Sequence, residues 1–331
     1  MQYPAGVWLT LGISITLLLL GLYTRGHTRR WGSGSKAHDI PEHRWGSGSK
    51  AHTIPDLTRE GGGTKMVRAP ASAAEGKLLL PIIILTFERL DVLSVSVASY
   101  RRCINASLTP FEIVFSDNNS SHPPLLRYLS HEVHQQPKHH SAYLYRNRIN
   151  NPFYNMVTNT RDWFSRHPTD AAPYYVVTDP DVALDDTPGD ILRFYQYLLE
   201  THRAANVVGP MLRIDDIPES YPLRAKVIKG HTAQFWKWKP TASVLWGGRE
   251  CKLLHCAIDS TFGMYRANFT RVGVSIKSIG HPSSGFRTYA PYAARHLDWY
   301  LDPKNMSTDS RNYMETASKV SHWGGTWLKE G

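Results

Sequence analysis

Three cysteines in 331 residues are too few for a small disulfide-stapled scaffold. No Cys-x-x-Cys pair occurs, and Cys251, His255 and Cys256 have poor spacing for a zinc site. Cys251 and Cys256 are near enough in sequence to bridge in an oxidising compartment, which would leave Cys103 unpaired. Charge is missing at the start: no charged side chain lies between Met1 and Thr24. The net charge is +10, yet residues 1–77 carry ten Lys+Arg against five Asp+Glu, and residues 78–331 carry 28 against 23. Half the excess therefore sits on less than a quarter of the chain. The remainder is mildly basic, which suits an anionic small ligand and argues against DNA or RNA. With 41% apolar and 20% charged residues, the chain is too apolar to be disordered throughout.

The uncharged start holds a mostly Leu, Ile and Val run from Val7 to Tyr23, with Trp8 and Tyr23 at its ends. At the helical rise it spans about 25 Å, the short end of a membrane crossing. Tyr23-Thr24-Arg25 offers no small-x-small cleavage site, so residues 1–24 are expected to be an uncleaved anchor rather than a signal peptide. Arg25, Arg29 and Arg30 follow the span, which by the positive-inside rule keeps the rest of the chain in the cytosol. Asn-x-Ser/Thr sites at Asn105, Asn118, Asn119, Asn268 and Asn305 point the other way, to a lumenal domain of the Golgi or another endomembrane. The segment Arg30–His38 recurs at Arg44–His52, inside a stretch rich in Gly, Ser, Lys and His. Residues 25–77 are expected to be a flexible stalk.

From residue 78 the pattern alternates. Apolar β-forming runs at 78–85, 112–115, 142–145, 174–178 and 206–208 are separated by helical spacings at 89–104, 123–135, 153–166 and 188–202. Such alternation predicts an α/β fold: a Rossmann-like, mostly parallel sheet flanked by helices. Beyond Met211 the chain is rich in Trp, Gly and Pro and reads as a loop-dominated elaboration, with Trp236, Trp238 and Trp246 as a cluster suited to sugar faces or to core packing. Ligands of open parallel sheets bind outside the carboxyl ends of the strands. Three strand ends there carry carboxylates: Thr86-Phe87-Glu88-Arg89, Ser116-Asp117-Asn118-Asn119 and Thr178-Asp179-Pro180-Asp181. Asp-x-Asp on an extended segment turns both carboxylates one way, as a hard divalent cation requires.

The runs Leu80-Pro-Ile-Ile-Ile-Leu-Thr-Phe-Glu-Arg, Phe111-Glu-Ile-Val-Phe-Ser-Asp-Asn-Asn-Ser and Tyr174-Tyr-Val-Val-Thr-Asp-Pro-Asp, in this order, resemble the core of a glycosyltransferase of the A-type fold, close to the family 2-like enzymes. The resemblance covers about residues 78–210. It implies a catalytic domain over 78–331, with a nucleotide-sugar half (78–210) and an acceptor half (211–331). Thr86, Phe87, Glu88 and Arg89 would line the nucleotide pocket, and Asp117 would accept from the base, with uracil favoured. Asp179 and Asp181 would form the Asp-x-Asp, bridging nucleotide and metal, and His296 in Arg295-His296-Leu297-Asp298 would join the Mn²⁺ or Mg²⁺ site. Arg287, Arg295 and Lys304 are further candidates for phosphate. Asp259 would be the catalytic base, although Ile258 stands where the family has a Glu. The implied activity is metal-dependent transfer of a sugar from a nucleotide-sugar, UDP-linked by preference, to a hydroxyl of a glycan, glycoprotein or glycolipid, with inversion. A nucleotidyltransferase would also put carboxylates and Mg²⁺ on such a sheet. The first strand–helix turn here has no glycine, against the Gly-rich loop of that class. A non-catalytic carbohydrate-binding protein is the third reading.

Overall fold

The computed structural model describes residues 78–134, 141–256, 258, 261–267 and 285–317. The expected anchor and stalk, and Asp259, lie outside the described residues. Among those described, no helix is long and apolar enough to cross a membrane.

The expected alternation is present. In chain order come β1 (Leu80–Thr86), α1 (Asp91–Cys103), β2 (Phe111–Asp117), α2 (Pro123–His134), β3 (Ala142–Arg146), α3 (Pro152–Arg166), β4 (Tyr174–Thr178), β5 (Val182–Ala183), α4 (Ile191–Thr201) and β6 (Val207–Pro210). After these come α5 (Arg224–His231), β7 (Ala242–Trp246), β8 (Arg249–His255), β9 (Gly263–Arg266), β10 (Gly285–Thr288), β11 (Arg295–His296) and α6 (Thr308–Ala317). One nine-stranded sheet has the order β3-β2-β1-β4-β9-β6-β10-β8-β7. Strands β3, β2, β1 and β4 run parallel, as do β6 and β10, while β9 and β8 run against their neighbours. The sheet is mixed and mostly parallel.

The second half is more regular than its composition predicts. Strands β7 to β10 extend the same sheet, with β9 inserted between β4 and β6. The β7–β8 hairpin turns on Gly247 and Gly248, whose φ values of 55° and 78° are open to glycine and strained for other residues. That Gly-Gly pair is a hairpin signal. The strands around it are short, and the polar residues that alternate along them mask their apolar face.

Side-chain alternation divides the core. Leu80, Ile82 and Ile84 of β1 join Leu93, Val97 and Tyr100 of α1, Leu125 and Leu129 of α2, and Phe194, Tyr195 and Leu198 of α4. Ile83 faces the other way, with Val114, Val177 and the α3 residues Met156, Val157 and Trp163. Strand β1 is buried on both faces, which explains its unbroken apolar run. Each fully buried aliphatic side chain contributes about 1.5–3 kcal/mol. Helix α3 begins at Asn151, whose side chain accepts from the Tyr154 amide at 3.1 Å, with Pro152 in the first turn. Trp163 closes that helix by donating its indole N–H to Glu112 on β2 at 2.6 Å. Two contacts from α1 place the loop after β4: the Tyr100 hydroxyl donates to the Val182 carbonyl at 2.6 Å, and Ser99 Oγ accepts from the Leu184 amide at 3.0 Å.

Candidate functional site

Register brings the carboxylate-bearing strand ends together. Thr86 lies opposite Asp117 at the ends of β1 and β2, and Ile84 lies opposite Thr178 on β4. Thr86 and Asp117 are fully buried, and Thr86 Oγ1 and Asp117 Oδ1 have no hydrogen-bond partner. The other Asp117 oxygen accepts from Arg146 Nε at 2.9 Å. Burial pushes the Asp117 carboxyl above its ordinary value, against the opposing pull of Ser120 and Arg146. Two polar oxygens without hydrogen bonds at one rim form a polar floor at a stability cost, because unpaired buried groups cost about 1–3 kcal/mol each.

Glu88 and Arg89 are spoken for. Glu88 has φ 53° and is 2% exposed. One of its carboxylate oxygens accepts from the Ser121 amide (2.5 Å) and hydroxyl (2.9 Å), the other from the His122 amide (2.8 Å). Glu88 thus clamps the β1 loop to the β2 loop. Asn118 is also inside, donating to the carbonyls of Thr86 and Ser116 and accepting from Asn155. Its Asn-x-Ser site is consequently covered in the folded protein, whereas Asn105, Asn119 and Asn305 are exposed.

The loop after β4 carries the centre of the site. Asp181, His296 and Asp298 each offer a ligand atom, all within 4.8 Å of one another. Their convergence has a backbone cause. β11 pairs antiparallel with β5, setting His296 opposite Val182, and the Leu297 amide donates to the Asp181 carbonyl at 2.7 Å. A 3₁₀ turn, Leu297–Tyr300, then folds Asp298 inward. The His296 ring stacks on the buried Trp299, with centroids 4.8 Å apart and planes 8° apart. Asp181 Oδ1 and His296 Nδ1 are buried without a hydrogen-bond partner. Asp298 escaped the sequence reading. Its two-residue spacing from His296 repeats the Asp-x-Asp logic and is the signal that would have found it. Asp179 is half-buried and does not share this three-residue group.

Arg89, 5% exposed, lies against the cluster. Its Nη1 donates to Asp181 Oδ2 at 2.8 Å and to Asp298 Oδ2 at 3.1 Å, and its Nη2 bonds Asp298 Oδ1. The two carboxyls separate electrostatically. Burial raises Asp181, but His296 and Arg89 outweigh it and hold the carboxyl below its ordinary value. Burial and the Asp181 charge hold Asp298 above it, against Arg89. Two carboxylates share one guanidinium here, and oxygen with imidazole nitrogen is a donor set that suits Mn²⁺.

The other candidates disperse. Arg295 binds Asp216 at 2.7 Å and Asp186 at 3.2 Å, bracing β11. Arg287 donates to the Pro210 carbonyl at 2.9 Å and to Thr261 at 3.3 Å under the Phe235 ring. Lys304 is exposed. The tryptophan cluster divides: Trp246 donates to Asp190 at 2.8 Å and packs on Phe194 and Tyr197, while Trp236 and Trp238 both meet Tyr289, Trp236 edge-on with its ring and Trp238 through a carbonyl that accepts from the Tyr289 hydroxyl at 3.2 Å. Cys103, Cys251 and Cys256 form no disulfide, so the pairing of Cys251 with Cys256 that the sequence left open is not made here.

No protein-family model and no curated protein matches this chain. Among solved structures, it is similar to S. aureus TarS 1-349 in complex with UDP-GlcNAc, at 9% identity and a TM-score of 0.38 over 73% of this chain and 65% of that one. It is similar to core-mannan synthase A from Aspergillus fumigatus in an Mn/GDP form, at 14% identity and a TM-score of 0.30 over 62% and 63% of the two chains. A further S. aureus TarS structure aligns at 12% identity and a TM-score of 0.35 over 57% of this chain. The chain spans 28% of that structure.

Proposed function

We propose that this protein is a metal-dependent glycosyltransferase using a nucleotide-sugar donor. The observation that carries the reading is the Asp181–His296–Asp298 group, with its two orphaned ligand atoms, on the same strand-end rim as the unpaired acceptors of Thr86 and Asp117. In this reading Asp117 and Thr86 take donors from the base, with uracil favoured, and Asp179 faces the nucleotide. Asp181, His296 and Asp298 hold the cation. A bound Mn²⁺ or Mg²⁺ supplies charge neutralisation for a departing diphosphate. Asp259 takes the proton from an acceptor hydroxyl as that oxygen bonds to the anomeric carbon and the bond to the nucleoside diphosphate breaks. One base and direct displacement give inversion.

The test is thermal melting of the full chain with UDP- and GDP-linked sugars, in Mn²⁺ or in EDTA. A ligand at a hundred times its dissociation constant stabilises by about 2.7 kcal/mol. The expected result is a rise in Tm with one donor, lost in EDTA and in Asp181→Asn, accompanied by metal-dependent donor hydrolysis. No rise with any sugar nucleotide in Mn²⁺, from folded protein, rejects the reading.

The proposal extends to location. Residues 7–23 would tether the domain, and exposure of Asn105, Asn119 and Asn305 favours the lumenal side. A mass shift on glycosidase treatment of protein made in a eukaryotic host tests this. Unmodified protein in the membrane fraction would place the domain in the cytosol.

A further inference from the structure

Arg89 sits where a cation would sit. Three of the four oxygens of Asp181 and Asp298 accept from its guanidinium, leaving Asp181 Oδ1, and with it His296 Nδ1, without a hydrogen bond. The far face of the guanidinium is covered by the Tyr313 ring of α6, 4.3 Å away. Helix α6 is pinned to the same rim. Ser307 Oγ donates to Asp91 Oδ2 at 2.7 Å, Ser310 Oγ donates to the same oxygen, and His122 Nε2 lies 2.6 Å from Asp309 Oδ1.

Charge decides what happens when a dication arrives. With Arg89 in place, two carboxylates, a neutral imidazole and a dication leave the buried cluster with a positive charge in excess. With Arg89 withdrawn, the same set is neutral. An uncompensated buried charge is costly, and two cationic centres on one carboxylate oxygen repel at close range in a medium that screens little. We infer that Arg89 is the resident counter-ion of this cluster, that it and the divalent cation exchange on Asp181 and Asp298, and that the released guanidinium turns to the donor's phosphate. The inference rests on the metal-site reading above. It makes Arg89 a positioning residue whose two partners, carboxylates and phosphate, alternate with the metal. Tyr313 couples that alternation to the seating of α6.

The experiment is Mn²⁺ binding to the full chain, read as free Mn²⁺ by electron paramagnetic resonance, without and with UDP. A counter-ion that must leave weakens the metal, so Arg89→Gln is expected to bind Mn²⁺ about tenfold tighter than wild type without nucleotide. The same variant is expected to melt lower than wild type in EDTA, to recover in Mn²⁺, and to lose its advantage once UDP is added. Arg89→Lys should fall between the two. Folded Arg89→Gln that binds Mn²⁺ no tighter than wild type overturns the exchange. If Arg89→Gln does not fold, Tyr313→Ala keeps both ion pairs but uncovers the guanidinium. Tighter Mn²⁺ binding by it supports the exchange, and unchanged binding overturns it. Wild type that binds Mn²⁺ with UDP while neither variant binds tighter defeats the exchange alone. Wild type that binds no Mn²⁺ under either condition defeats the metal site and the exchange together.

Discussion

His296 stands opposite Val182 in the two-stranded β5–β11 ribbon, which brings its Nδ1 to 3.7 Å from Asp181 Oδ2. The approach of Asp181 and His296 is thus built into backbone pairing rather than left to flexible side chains. Replacing even an outer-shell partner of a metal typically costs about 10–100-fold in affinity, so a direct ligand should cost at least that. His296→Ala and Asp298→Asn are each expected to weaken Mn²⁺ by about tenfold or more, measured by calorimetry with UDP present. Asp298→Asn is the sharper test, because it separates the group seen in the structure from the Asp-x-Asp motif alone.

Asp179 and Asp181 should part in the same assay. Asp181 is buried within the 4.8 Å group and Asp179 is half-buried outside it. Asp181→Asn is expected to abolish Mn²⁺-dependent stabilisation by UDP. Asp179→Asn should weaken UDP while leaving Mn²⁺ affinity without nucleotide near wild type. Equal loss of Mn²⁺ from both variants would return Asp179 to the metal.

Asp117 links function to a cost in stability. Burial raises its carboxyl above the ordinary value of 3.8, which Ser120 and Arg146 only partly oppose. A raised folded value means that the native state holds the proton more tightly than the unfolded chain does. The associated stability is fully present below the ordinary value and is lost as pH rises through the folded one. Asn cannot ionise, so Asp117→Asn is expected to gain more in Tm at pH 7 than at pH 4, while losing UDP-dependent stabilisation. A variant less stable than wild type at pH 7 would show that the Arg146 ion pair outweighs the burial.

The parallel half of the sheet was legible because β1, β2 and β4 are buried on both faces and so carry apolar runs, only three residues long (Ile113–Phe115) in β2, that end in polar residues. The rim residues Thr86, Asp117 and Asp181 follow from those strand ends and from the rule about where ligands bind. Glu88 and Arg89 follow the end of β1, where the strand pattern put them, but their partners were not legible. Ser121, His122 and Asp298 reach them only through tertiary packing. The same limit applies to Asp298, which enters the site through the β5–β11 pairing, two residues long on each side. Strands β7 to β10 are four to seven residues long, and exposed positions interrupt the apolar face of β7 and β8, so no period stood out there.

Ile258, which occupies the place of the expected Glu, has a packing role. It is 1% exposed and sits against two glycines of adjacent strands, Gly209 on β6 and Gly285 on β10. A Cβ on Gly285 would lie 2.9 Å from the Cys256 carbonyl oxygen, 2.9 Å from Val207 Cγ1 and 3.3 Å from Ile258 Cδ1. The carbonyl cannot yield cheaply, because the Cys256 amide is itself bonded to the Gly285 carbonyl at 3.0 Å. Gly285→Ala should therefore force the Cys256–Ile258 segment away from the sheet, at a cost of about 1–3 kcal/mol, the usual range for overpacking. Because Asp259 directly follows Ile258, the same change is expected to lower kcat while sparing UDP and Mn²⁺ affinity, whose residues lie on other strand ends. Melting and steady-state kinetics on one preparation check both halves. Gly285→Ala with a wild-type Tm would mean that the strands accommodate the methyl group. A lowered Tm with unchanged kcat would separate this segment from the chemistry and remove the support for Asp259 as the base.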